Sequence, residues 1–174
     1  SEGAIIGAAL GAALVGFKPV AEIMYMDFLN VCGDQLVNHV PKMHFMSGGL
    51  LKAPMVIRTQ YSMGRSTGAQ HSQFFPAFYL NVPGLQICLP STPYDAKGLL
   101  KTAIRGDNPT LFIESARLYR MQGPVPEEEY MVPFGKADVK RKGEDVTIFA
   151  ISQTVHRALA AAEILQKDGV SVEV

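Results

Sequence analysis

Glu2 and His71 are the two residues weighed as chemical candidates, each beside a commoner structural role. Glu2 precedes a long helical pattern, where a carboxylate gains modestly from the positive end of the helix dipole, so a structural role is the commoner reading and a buried acid the other. His71 lies between Gln70 and Ser72 in a polar, glycine-containing stretch, Gln60 to Gln73, that also carries Arg65. Imidazole titrates near neutrality, so such a histidine can move a proton or bind a carboxylate, although a hydrogen-bonding surface role is the commoner use. His39, His44 and His156 have no Asp or Cys partner at a recognisable spacing and are assigned no chemistry. Gly33-Asp34 and Gly106-Asp107 lie outside any G-x-G-x-x-G or P-loop context and read as turns or helix residues. Neither a G-x-S-x-G elbow nor an H-E-x-x-H pair occurs, so serine-hydrolase and zinc-protease chemistry are unsupported. Met24, Met26 and Phe28 read as core on pattern alone.

The elements that must hold these residues alternate between helix and strand. Gly3, Gly7 and Gly11 recur every four residues along the first helix, giving one face on which another helix can approach closely. Pro19 to Met26 reads as a buried strand, and Asp27 as the cap of a helix through Phe28, Val31, Gln35 and Asn38 that Pro41 ends or kinks. Pro54 to Thr59, Leu85 to Leu89 and Thr110 to Glu114 read as further strands. Pro90-Ser91-Thr92-Pro93 starts a helix from Tyr94 to about Ile104, stopped by Gly106-Asp107-Asn108-Pro109. The proline-rich, acidic stretch Gly123 to Pro133 reads as a domain boundary. Beyond it, Phe134 to Val139 and Val146 to Ile151 are strand-like, Val155 to Leu165 is helical, and Val170, Val172 and Val174 alternate as in a final strand. Strand–helix alternation predicts an α/β fold: a mostly parallel sheet with helices on both faces.

The chain has 174 residues, 48% hydrophobic and 18% charged, enough for a full apolar core. A formal net charge of +0 supplies no field for nucleic acid or anionic lipid, so neither is expected as a partner. The apolar run Ala4 to Phe17, interrupted by glycines, falls short of the ~20 residues of a membrane span and fits a buried helix better. Two cysteines, without metal-ligand spacing, suit a reducing compartment such as the bacterial cytoplasm or an organelle matrix, not secretion. A start at Ser1 without leader and an end within a strand pattern mark the chain as an expected fragment.

Several stretches together carry a resemblance: Ser1-Glu2 before the glycine-spaced helix, Glu22-Ile23-Met24 with Met26-Asp27-Phe28, Lys42 with Met46-Ser47-Gly48-Gly49, Arg58, and Ala69-Gln70-His71-Ser72-Gln73. Pro83-Gly84-Leu85, Pro90-Ser91-Thr92-Pro93, Asp95-Ala96-Lys97-Gly98-Leu99 and Gly135-Lys136-Ala137 extend it over essentially the whole chain. The sequence resembles the β subunit of the E1 component of 2-oxo acid dehydrogenase complexes, of the pyruvate or acetoin type, within the thiamine-diphosphate enzymes. The resemblance implies a transketolase-like pyrimidine-binding domain at 1–133, truncated at its N-terminus, and a linker with the start of a truncated C-terminal domain at 134–174. It also implies that Glu2 hydrogen-bonds N1′ of the cofactor's aminopyrimidine and activates it, that Met24 and Phe28 line that ring, and that His71 serves the reacting substrate or lipoyl group. Ala103, Ile104 and Asn108 fall where related subunits bind potassium, although Gly106 stands where an acidic residue is common. The family's diphosphate-and-magnesium motif, Gly-Asp-Gly followed by Asn, does not occur here. The implied partners are therefore an E1 α subunit carrying the Mg2+ ligands, in an α2β2 heterotetramer, together with lipoyl-E2 and a small 2-oxo acid. An acetoin dehydrogenase β subunit, or an assembly module without a working site, are the alternatives.

Overall fold

A computed structural model describes residues 1–174. Four strands, β1 (Val20–Ile23), β2 (Val56–Tyr61), β3 (Gln86–Cys88) and β4 (Thr110–Ser115), form one sheet in the order β1-β2-β4-β3. Every pairing is parallel, with Val20 opposite Val56, and Val56 and Gln86 both opposite Thr110. Parallel strands must be joined by crossovers, which is why each connection is long and rich in helix.

Side-chain alternation along the strands divides the core into two layers. Ile57, Tyr61, Leu111 and Ile113 face one way and pack with Ile6, Leu10 and Ala13 of helix α1 (Glu2–Leu14) and with Met26, Leu29 and Cys32. Val56, Cys88 and Phe112 face the other way, against Ala103, Leu99 and Leu100 of helix α4 (Pro93–Arg105). Helices thus cover both faces. Each fully buried Leu, Ile or Phe contributes about 1.5–3 kcal/mol. Thr92 caps α4 by accepting from the Asp95 backbone N–H at 3.1 Å, with Pro93 at the first helical position.

The structure departs from the sequence expectations in four places. β1 lies at a sheet edge with Val20 and Glu22 exposed, so it is half-buried, not enclosed. The segment after it is no regular α-helix: Met26–Cys32 is a 3-10 helix and Gln35–His39 a π-helical turn, followed past Pro41 by the one-turn helix α2 (Met43–Met46). Asp27 does not cap it, because Tyr25 is the residue before the first turn and the Asp27 carboxylate points elsewhere. Phe134 to Val139 forms no strand, and the second strand-like stretch shrinks to β5 (Val146–Thr147), paired in parallel with β6 (Val172–Glu173). These short stretches are mostly exposed, and half-buried alternation alone does not supply a sheet partner.

Two further helices complete the chain, α3 (Pro76–Leu80) and α5 (Thr154–Lys167). The start of α5 closes the carboxyl end of the central strands: the Tyr61 hydroxyl donates to Ser152 Oγ at 3.0 Å, and the Ser115 hydroxyl to Gln153 Oε1 at 3.3 Å. Ser152 is fully buried at φ +49°, a left-handed backbone held by its surroundings. Lys140 reaches the Asp95 carboxylate at 3.4 Å across the same junction. No helix is long and apolar enough to cross a membrane.

Candidate functional site

The 3-10 helix Met26–Cys32 is the platform of the site. Its tight winding brings residues three apart onto one side, so Tyr25 and Phe28 stand together, ring centroids 5.9 Å apart. The His71 ring meets both edge-on, 4.9 Å from Tyr25 and 5.3 Å from Phe28. Met24, just before the turn, is 64% exposed. The methionine that fills the core is Met26, which corrects the reading of Met24 as a core residue. Phe28 is half-buried, packed on the core below and open above.

His71 ends a short 3-10 turn, Ala69–His71, in the loop leaving β2. Its backbone N–H donates to Gly68 O at 3.2 Å and its carbonyl accepts from Thr67 Oγ1 at 3.1 Å, but no hydrogen bond within the chain engages its ring. The other three histidines differ: His39 Nδ1 lies 3.3 Å from Asp34, His44 Nδ1 lies 2.8 Å from Leu51 O, and His156 Nε2 lies 2.7 Å from Ser91 O. His71 is thus the histidine whose two ring nitrogens both remain free.

Glu2 occupies the first turn of α1, half-buried, where the helix dipole favours its charge. Helix α1 lies close on the platform: a methyl group added at Gly3 would stand 3.7 Å from Val31 O and 3.5 Å from Gln35 Oε1. Gly3 and Gly7 therefore face Gln35 of this same chain, whereas Gly11 faces open space. Burial, with the nearby Glu2 charge adding to it, pushes the Cys32 thiol up to about 11. Phe28 and His71 thus meet at the 3-10 turn, Met24 stands just before it, and Glu2 lies on the helix that packs against it. The sequence reading passed over Tyr25, although its spacing of three from Phe28 was visible.

The potassium candidates gather less clearly. Ala103 and Ile104 are in the last turn of α4 and Asn108 is exposed in the following loop. The Lys18 ammonium already donates to the neighbouring carbonyls of Arg105 and Gly106, at 2.7 and 3.0 Å, and lies 3.4 Å from Asp107. No group of three or more His, Cys, Asp or Glu side chains is placed to hold a metal ion. The two largest clefts, about 740 and 620 Å3, lie away from the platform, at the amino ends of the strands and at the junction with α5.

Residues 1–122 match the model of the transketolase pyrimidine-binding domain. The chain belongs to that family. Residues 135–174 match the transketolase C-terminal domain. Among curated relatives, the chain is 47% identical to the acetoin:2,6-dichlorophenolindophenol oxidoreductase subunit beta of Cupriavidus necator, over all of this chain and 52% of that one. It is 45% identical to the 2-oxoisovalerate dehydrogenase subunit beta of Bacillus subtilis, covering 54% of it. It is 44% identical to the pyruvate dehydrogenase E1 component subunit beta of Porphyra purpurea, covering 53%. The chain thus spans about half the length of the relatives it matches. Among solved structures, a split-gene transketolase described as an inactive β4 tetramer superposes with a TM-score of 0.80 at 22% identity, over all of this chain and 53% of the other. This last likeness carries the transketolase-like parallel fold.

Proposed function

We propose that this chain is the β half of a thiamine-diphosphate-dependent 2-oxo acid dehydrogenase that decarboxylates a substrate such as pyruvate and passes the acyl group to lipoyl-E2. The observation that carries this reading is the free imidazole of His71, held edge-on between Tyr25 and Phe28. A histidine serving only structure would spend a ring nitrogen on the loop, as His44 and His156 do.

The residues present fit the aminopyrimidine half of the cofactor. Phe28 and exposed Met24 would line the ring, an aromatic edge and a thioether being suited to a flat heterocycle. When bound, thiamine diphosphate supplies the nucleophilic carbon and the electron sink for loss of carbon dioxide. Glu2 would hydrogen-bond N1′ and exchange a proton with it, a general acid–base task for a carboxyl half-buried in the opening turn of α1. His71 would hold the oxo acid's carboxylate or pass a proton to the product or the lipoyl sulfur. Mg2+ and the diphosphate would be held by an E1 α subunit in an α2β2 heterotetramer. Ala103 and Ile104 carbonyls with Asn108 are the candidate potassium ligands, beside the Lys18 ammonium. The boundary between the two domains falls near Pro133, and the compartment is the bacterial cytoplasm or an organelle matrix.

The test is made in the assembled full-length α/β complex. Glu2→Gln keeps shape but cannot relay a proton, so turnover should fall much further than cofactor affinity. His71→Ala should leave assembly and the thermal midpoint nearly unchanged while lowering decarboxylation or lipoyl acylation by roughly 10²-fold. Near-normal rates in both variants would leave the chain an assembly module. Faster turnover of acetoin than of pyruvate would move the substrate assignment.

A further inference from the structure

The segment that carries His71 is hydrogen-bonded to distant parts of the chain at one place. Apart from the turn bond from Arg65 N to Ser62 O, all hydrogen bonds from residues 64–73 to the rest of the chain go to Asp27. One carboxylate oxygen, Oδ1, accepts from both the backbone N–H of Gln73, at 3.2 Å, and its side-chain amide, at 2.9 Å. The remaining bonds in this segment are internal, such as that between Thr67 Oγ1 and Ser72 Oγ at 3.1 Å. Its backbone passes through positive φ at Gly64, Ser66 and Gly68, and the three-residue turn Ala69–His71 is its one piece of secondary structure.

Asp27 is only 9% exposed, and its Oδ2 is buried without a hydrogen-bond partner in the chain. A buried carboxyl oxygen left unpaired is costly, so the residue is expensive for a contact that apolar packing could replace. Asp27 also sits between the two residues whose rings touch His71. One turn, Tyr25 to Phe28, thereby grips both the His71 ring and the backbone two residues beyond it.

We propose that Asp27 and Gln73 are positioning residues for His71, a clasp that sets the imidazole at its working distance from the platform. This rests on the reading of His71 given above. Asp27 touches neither ring nitrogen and acts only through the loop; a displacement of about 1 Å in a reacting group can cost up to 10²-fold in rate.

The experiment uses the assembled full-length complex and measures decarboxylation and lipoyl acylation separately. Asp27→Ala should lower whichever half-reaction His71→Ala lowers, by roughly tenfold or more. Asp27→Asn retains an acceptor oxygen for both Gln73 donors and should stay within about threefold of the unmodified complex. The double variant Asp27→Ala/His71→Ala should be no slower than His71→Ala alone, because a clasp has no value without the residue it holds. Gln73→Ala, at an exposed position that will not disturb folding, should show a smaller loss in the same half-reaction. Independently of activity, carbethoxylation of His71 followed by mass spectrometry should speed up roughly threefold in Asp27→Ala as the loop opens, with exposed His39 as the unchanged reference. Losses that multiply in the double variant, a loss in a half-reaction that His71→Ala leaves intact, or an unchanged His71 modification rate would overturn the clasp. If Asp27→Ala does not assemble, Gln73→Ala decides by the same criteria. Unaltered rates in His71→Ala would instead overturn the reading on which the clasp depends, and that outcome is distinct from the others.

Discussion

Asp95→Asn tests how the first turn of α4 holds the segment beyond the acidic connector. The Asp95 carboxylate is 12% exposed; its Oδ2 accepts from the Ser91 hydroxyl at 2.8 Å and faces the Lys140 ammonium at 3.4 Å. Burial works to raise its pKa, but the hydrogen bonds from Ser91 and Thr92 and the Lys140 charge outweigh it, holding the carboxyl below the usual aspartate range. Asparagine keeps the volume and one acceptor for Ser91 while losing the charge. A charge-assisted bond contributes ~1.5–3 kcal/mol. Lys140 is 22% exposed and retains Asp138 at 2.5 Å, so the screened loss is about 1–2 kcal/mol. For a chain of this size that is a fall of roughly 2–8 °C in Tm. The sign of the pH dependence follows from the lowered pKa. The stability it contributes is complete above the unfolded aspartate value of about 3.9 and is lost as pH falls through the folded value. Urea unfolding from pH 7 down to pH 3 should therefore show the variant weaker at neutrality and converging on the parent in acid. An unchanged midpoint at pH 7, or a difference that persists unaltered at pH 3, refutes the argument.

Gly84→Ala should destabilise the protein by about 2–4 kcal/mol in the same assay, since φ is +89° and an added Cβ would overlap the Pro41 carbonyl oxygen. Tyr61→Phe leaves the buried Ser152 hydroxyl without its donor and should cost about 1–2 kcal/mol, measured as a shift in the urea midpoint with unchanged slope. Burial pushes the Cys32 and Cys88 thiols up to about 11 and about 12, so neither should react with an alkylating reagent at pH 8 until the chain is unfolded; rapid labelling of the native protein would contradict this.

Much of the sheet was legible because central strands advertise themselves. β4 carries the apolar run Leu111–Ile113 and the run Met55–Ile57 leads into β2, both strands in the middle of the sheet, and α4 carries its cap and its proline in the sequence. What failed was local. Asp27 satisfied the rule for a helix cap, but Gln73 competes for its carboxylate from 46 residues away, and no local rule sees such a partner. Met24 looked like core because the short apolar stretch Pro19 to Met26 reads as an enclosed strand, whereas β1 is an edge that ends at Ile23. The free ring of His71 was beyond sequence for the same reason: the absence of a hydrogen bond is a property of the assembled fold. Glu2 and His71 could be named as candidates, but their common platform could not.

The strand order β1-β2-β4-β3 also sets a schedule for folding. Register partners are far apart in the chain, 36 residues between Glu22 and Arg58 and 24 between Gln86 and Thr110, so no hairpin can form early as a nucleus. Pairing at such separations makes folding slow compared with that of helical bundles of similar size. The strand that joins the two halves, β4, is also the last of the four to leave the ribosome. Until Ser115 has been synthesised, β2 lacks its inner neighbour and β3 has none, and both present bare backbone edges to other nascent chains.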